Sequence, residues 1–329
     1  MTALLVPIVL AAVLVTTAVV APMIIRSAAP ALMRAPRAAV MLLLGAGALW
    51  LLALAALSLL LTWLLNGPAV LPTGIAGVCQ RCLAAASPFA SIGMIDTVIP
   101  VALLIALPVI GSALLAGTAA FRGARRRRAT VAVARSIAGR AERTAIGGHE
   151  VLLTQDPHPA AFSLPRRHGG IVVSRALIAG LRPDELAAVL AHEGEHVRGR
   201  HHLVLTVLDT VFAPLRWIPL MSAIHGAVPL YLEIAADEAA KRCTGTPALA
   251  SALLKLGDPA SERNPAPSGL VLHAAGPDRI GQLVSPARIG SSVVPATALV
   301  AAAIAFAFIA AVVHGPYVSA ILAGCHLLH

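Results

Sequence analysis

Charge is scarce in this chain. Asp, Glu, Lys and Arg make up 12% of its 329 residues, against 58% hydrophobic. So little charge, with a mean hydropathy of +0.85, excludes an ordinary soluble globular protein and points to an integral membrane protein. Lysine is almost missing: Lys241 and Lys255 are the only two, so the net charge of +10 rests on arginine. No zinc ribbon, aromatic-basic alternation or separate basic domain accompanies that charge, so direct nucleic-acid binding is not expected. The arginines lie instead at the borders of apolar stretches, where they set topology and attract anionic lipid. Nothing positive precedes the first apolar stretch, so a secretory signal peptide is not expected. No internal repeat is present.

Long apolar runs are what the chain does have. Four uncharged stretches, about 3–25, 38–66, 97–120 and 293–313, reach the ~20 residues that a helix needs to cross a bilayer. A transporter would want charged or broken helices within its spans, and these four hold no charged residue. Arg26, Arg34 and Arg37 follow the first stretch, and Arg122 with Arg125 to Arg128 follow the third. The 67–96 loop carries only Arg81 and Asp96. The positive-inside rule then predicts an N-terminus outside, residues 121–292 in the cytoplasm, and an outer tail after 314. Cys79 and Cys82 of CQRC and Cys325 fall on the outer side. A structural disulfide among them is expected, its connectivity open, while Cys243 should stay reduced.

The chain divides into a membrane part (1–120), a region long enough for one modest core (121–292), and a last span with its tail (293–329). Residues 129–146 read as a helix leaving the membrane. Three β-like runs follow, EVLLT (150–154), AAFSL (160–164) and GGIVVS (169–174), separated by turn residues. Ser174 to Gly180 reads as a short helix. Another opens at Pro183, with Asp184 and Glu185 suited to its N-terminal dipole, and should run to about Arg200. Residues 257–292 read as irregular.

That second helix carries HEGEH, from His192 to His196. Residues four apart share a helical face, so the two imidazoles can serve one metal ion while Glu193 projects beside them to take a proton. A third ligand is needed. In YLEIAADEAA, Glu233 and Asp237 are also four apart; Glu233 can complete a His-His-Glu set and Asp237 can hold a ligand histidine. His201, His202, His225 and Glu238 compete, the first two sitting close to His196 on what reads as the same helix. The thirty residues between His202 and Glu233 are largely apolar, yet both ends must reach one metal, so the number of crossings between them is even. Two crossings need about 40 residues; none is the better reading, with the segment forming a broken hairpin at the interface.

HEGEHVRGR, preceded by IVVSRALIAGLRPDELAAVLA and followed by EIAADEAA, resembles the integral-membrane gluzincins of the BlaR/MecR antirepressor type and the related HtpX-like membrane peptidases. The likeness covers about 150–245. It implies one Zn²⁺ per chain on His192, His196 and Glu233, catalytic Glu193 and supporting Asp237. It also implies Ile171, Val172, Val173 and Ser174 as an edge strand for an extended substrate. The fold class implied is mainly α: a plasma-membrane protein of four transmembrane helices, with a cytoplasmic α+β zincin-like metallopeptidase domain between spans three and four. Its partners would be a protein or peptide substrate, such as a winged-helix repressor of the BlaI type, and the bilayer. Gly194 stands where an aliphatic residue is usual and His201 where Asp is common. The chain ends soon after the fourth span without an S-x-x-K motif, so a penicillin-binding sensor domain is not expected. HtpX-like turnover of membrane proteins is the alternative within the enzyme class. A silent scaffold is the alternative outside it, and would typically have lost a ligand or the base.

Overall fold

The computed structural model describes residues 2–66 and 101–256, with scattered helical positions between 297 and 308. The 67–96 loop, Cys79, Cys82, Cys325, the 257–292 segment and most of the fourth expected span lie outside the described residues. What is described is mainly helical, with one small mixed sheet.

Two long helices come first, α1 (Thr2–Leu32) and α2 (Pro36–Asn66). Within them Pro7–Leu32 and Pro36–Ser58 are long and apolar enough to cross a membrane. Their contacting faces bury Leu10, Leu14, Leu43 and Trp50, and the Trp50 indole donates to the Leu14 carbonyl at 3.0 Å. Their outer faces are apolar too: Val15 is 65% exposed and Met41 71%. Water does not favour so continuous an apolar surface; a lipid phase does.

Helix α3 (Val101–Ala138) runs unbroken from apolar sequence through the arginine run. The expected helix over 129–146 is therefore corrected: it ends at Ala138, and Glu142–Ile146 is strand β1. The cause is the turn at Gly147 and Gly148, with φ of 57° and 79°. Paired left-handed glycines close a tight hairpin, and β1 pairs antiparallel with β2 (His149–Thr154).

The sheet order is β1-β2-β4-β3, with β3 at Ala161–Ser163 and β4 at Ile171–Ser174. Strand β4 pairs parallel with β2 and antiparallel with β3. The edge-strand expectation for Ile171, Val172, Val173 and Ser174 is thus wrong: these four have a neighbour on each side, and among the described residues β3 is the edge on that side. Both faces of β4 are covered. Ile171 and Val173 meet Val189 and Leu190, while Val172 packs with Leu152, Leu164 and Ala134 of α3. A strand covered on both faces is continuously apolar rather than alternating, which IVVS already was.

Ser174 caps α4 (Arg175–Gly180) by accepting from the Leu177 amide at 3.2 Å. Helix α5 (Pro183–Arg198) starts with Pro183 in its first turn, and the buried Glu185 carboxylate accepts from the Arg182 amide at 2.8 Å. It ends two residues before the expected Arg200. Helix α6 (His201–Val207) follows, then a π-helical turn at Leu208–Phe212 and a 3-10 turn at Ala213–Leu215. Helix α7 (Pro219–Thr244) returns antiparallel to close a hairpin, and α8 (Thr246–Leu256) packs beside α5. The first half of α7 joins the α1–α2 core through Met221, Ile224 and Val228. Its second half lies on α5, where Ala188 and Ala240, both fully buried, let the helices approach closely. One helix thus links the apolar pair to the histidine helix.

Candidate metal centre

The α5–α7 contact brings three donors together. His192 Nε2 and His196 Nε2 are 3.2 Å apart, and the Glu233 carboxylate lies 3.6 Å from the first and 3.4 Å from the second. A tetrahedral ion with bonds of 2.0–2.1 Å needs ligand atoms about 3.3 Å apart. The two carboxylate distances end on different oxygens, Oε2 and Oε1, and one ligand atom from each of the three residues lies within 4.8 Å of the others, a spacing that one ion can draw together. Glu233 and His196 are buried, at 1% and 2% exposure, and His192 is nearly so. The donors fit a metal ion that prefers nitrogen and oxygen, as zinc does. None of the competing donors, His201, His202, His225 or Glu238, belongs to this group.

The surroundings favour positive charge. Burial alone would lower the His192 pKa, but Asp237 and Glu233, with Glu193 nearby, outweigh it and raise the imidazole to about 10. A bound cation would take over that role and release the proton. Asp237 Oδ1 lies 3.1 Å from His192 Nδ1, one turn beyond Glu233, a close approach placed to orient the ring whose other nitrogen faces the cluster. Glu193 is buried, at 7% exposure, and close enough for its charge to act on His192.

His201 is not on the histidine helix, which corrects the reason for setting it aside. The chain breaks at Gly199, and Arg200 takes a left-handed conformation with φ of 52°. That kink turns the His201 ring back, so its Nδ1 sits 2.7 Å from His196 Nδ1. A Cβ on Gly199 would come within 2.5 Å of His201 Nε2, so glycine makes room for the contact. Burial lowers the His201 pKa to about 4. The neutral ring can therefore accept the Nδ1–H of His196, which leaves His196 Nε2 for the cluster.

Two further residues escaped the sequence reading. Glu195, fully buried, receives the Arg37 Nε from the start of α2 at 3.1 Å and the Arg198 Nε at 3.1 Å. Burial would raise its pKa, but the two guanidiniums hold it below the ordinary value. This pair ties the apolar helices to α5. His149 explains Gly194: a Cβ there would stand 3.1 Å from the His149 ring, so an aliphatic side chain would push β2 away from α5. HEVLLT after a Gly-Gly pair was the available signal.

Residues 124–226 match the model of peptidase family M48, a stretch that holds HEGEH and stops just short of Glu233. The chain is similar to a protein described as "Protease HtpX homolog" from Acidiphilium cryptum (strain JF-5), at 29% identity over 163 residues, covering 37% of this chain and 57% of that protein. It is also similar to "Protease HtpX" of Shewanella halifaxensis (strain HAW-EB4), at 37% over 78 residues, covering 23% of this chain and 27% of that protein. The chain thus spans little more than half of the first relative and about a quarter of the second. No solved structure matches it.

Proposed function

We propose that this chain is a membrane-embedded zinc endopeptidase, with one zinc held by His192, His196 and Glu233 and with Glu193 as general base. The observation that carries the reading is the cluster of His192, His196 and Glu233, with one ligand atom from each within 4.8 Å of the others, its two histidines lying in a segment that matches a peptidase family. When bound, zinc supplies a Lewis acid that activates water and polarises a carbonyl. Glu193 takes the proton from the attacking water as the C–O bond forms and hands it to the amide nitrogen as the C–N bond breaks. Asp237 and His201 hold the two imidazoles in the required tautomers. An extended substrate would pair along β3 (Ala161, Phe162, Ser163), the sheet edge beside α5 among the described residues.

The membrane arrangement belongs to the same proposal: four spans, the N-terminus outside, and the peptidase region in the cytoplasm of a plasma-membrane protein. A chain keeping only the exposed Cys243, with Cys79, Cys82 and Cys325 changed to Ser, tests it. An impermeant thiol reagent should label Cys243 in lysed but not intact cells; labelling in intact cells would refute the orientation.

The substrate we propose is a cytoplasmic regulator of the BlaI-type winged-helix class, on the strength of the BlaR/MecR resemblance. A second reading, turnover of membrane proteins, draws on the similarity to proteases named HtpX. The retained ligand set and base speak against a silent scaffold. Purified protein should cut a BlaI-type repressor into defined fragments, and a chelator should stop it. An intact repressor alongside a degraded, misfolded membrane protein would move the assignment to the second reading.

A further inference from the structure

Behind the metal centre lies a groove of about 1180 Å³ that the proposed chemistry does not use. Its walls are α3 from Gly123 to Val133, the β3–β4 connection, α6, and the Gly194, Val197 and Arg198 face of α5. At ~100° per residue, that face is opposite His192 and His196, so the groove is separate from the donor triangle. Arg126, Arg127, Arg166, Arg167, Arg198 and Arg200 all line it, with Glu150 its one carboxylate. Arg126 is paired with Asp209 and Arg198 with Glu195. Arg127, Arg166, Arg167 and Arg200 have no ion-pair partner among the described residues. His202 adds a buried Nε2 that has no hydrogen-bond partner among the described residues. Concave, arginine-rich and under-neutralised, the groove is chemically suited to a phosphate, which guanidinium forks bind in bidentate fashion.

We propose that this groove holds the phosphate headgroup of an anionic phospholipid. The inference rests on the membrane reading above, and three observations favour lipid over an acidic protein chain. The groove opens at Gly123, just past the apolar stretch of α3 that ends at Phe121, itself 69% exposed. From Gly123 to Arg127 the helix rises about 6 Å, which matches a headgroup layer of roughly 5–8 Å on each side of the hydrocarbon. Leu203 and Leu205 line the same groove, Leu203 at 59% exposure, giving the glycerol and acyl carbons an apolar ledge beside the arginines.

The test uses the full chain, zinc-loaded in neutral detergent, and measures equilibrium binding of dioctanoyl phosphatidylglycerol, dioctanoyl phosphatidylcholine and inorganic phosphate. Phosphatidylglycerol should bind at least tenfold more tightly than either of the others. The exposed residues Arg127, Arg166 and Arg167 allow mild variants. Each single Arg→Gln change should weaken phosphatidylglycerol about fivefold, as one basic residue near an anionic surface is worth, with zinc content unchanged. The triple Arg→Lys variant, which keeps the charge but loses the guanidinium forks, should bind between wild type and the triple Arg→Gln variant. Equal binding of phosphatidylcholine, or indifference to the Gln changes in protein that retains zinc, would overturn the proposal. So would inorganic phosphate binding as tightly as the lipid, or preferential displacement by a polyglutamate peptide. Zinc content and peptide cleavage on the same samples keep the peptidase reading separate from this outcome.

Discussion

Removing the His201 ring should loosen the metal without touching a ligand. In His201→Ala, the buried Nδ1–H of His196 loses the acceptor that stands 2.7 Å away. Leaving such a donor unsatisfied costs about 1–3 kcal/mol. That agrees with the 10–100-fold loss of metal affinity typical when a group supporting a ligand histidine is removed. His201→Asn is the informative partner, because its side-chain oxygen occupies nearly the place of the histidine Nδ1 and restores an acceptor. The assay is zinc affinity by competition with a chromophoric chelator, with the cobalt-substituted spectrum reporting ligand geometry. The Ala variant should bind zinc 10–100-fold more weakly, and the Asn variant should fall between it and wild type. If the Ala and wild-type proteins bind zinc equally, the His196–His201 contact does not support the site and Gly199 and Arg200 need another explanation.

Other expectations follow from the frame around the site. Glu185, held down to about 2 by Lys255, Ser251 and the Arg182 amide, contributes stability that is fully present above its ordinary value near 4.5. That contribution is lost as pH falls from there towards 2. Thermal melts should show a pH slope across that window which Glu185→Gln flattens; an unchanged slope would contradict the assignment. Leu190→Ala, at 1% exposure between α5 and the sheet, should cost about 2–5 kcal/mol in denaturant unfolding, and a cost below 1 would mean the α5–sheet contact is loose. Arg37→Gln should cost only about 1 kcal/mol, because Arg37 is 63% exposed and Arg198 still neutralises Glu195; Glu195→Ala, which removes a fully buried side chain and both of its ion pairs, should cost more by the same assay.

The parts of this architecture written locally were legible. The spacing of His192 and His196, the Glu233–Asp237 face, Pro183 and the acidic first turn, and the three apolar strand runs all follow from helical and strand periodicity. What was missed depends on partners distant in sequence or on one unusual backbone angle. Strand β4 reads alone as an edge or an interior strand, and pairing with β3 decides it; its unbroken apolar run was the overlooked hint. Strand β1 was lost because ERTAI carries little strand signal, although Gly147-Gly148 before HEVLLT marks a hairpin. The break before His201 needs Arg200 in a conformation that non-glycine residues seldom adopt, and no spacing rule announces it. The Arg37–Glu195 tie joins residues 158 positions apart, beyond the reach of any local pattern.

The central claim is that HEGEH works as a metal-assisted proteolytic site, and Glu193→Gln tests it most directly. The substitution keeps size and hydrogen bonding but cannot take a proton. Zinc content and peptide cleavage should be measured on the same detergent-solubilised samples. The account predicts one zinc per chain in wild type and variant alike, with turnover lower by about 10²–10⁴-fold in the variant. Cleavage at the wild-type rate would contradict the proteolytic role of Glu193, and loss of zinc with the same substitution would make Glu193 a structural residue of the metal centre.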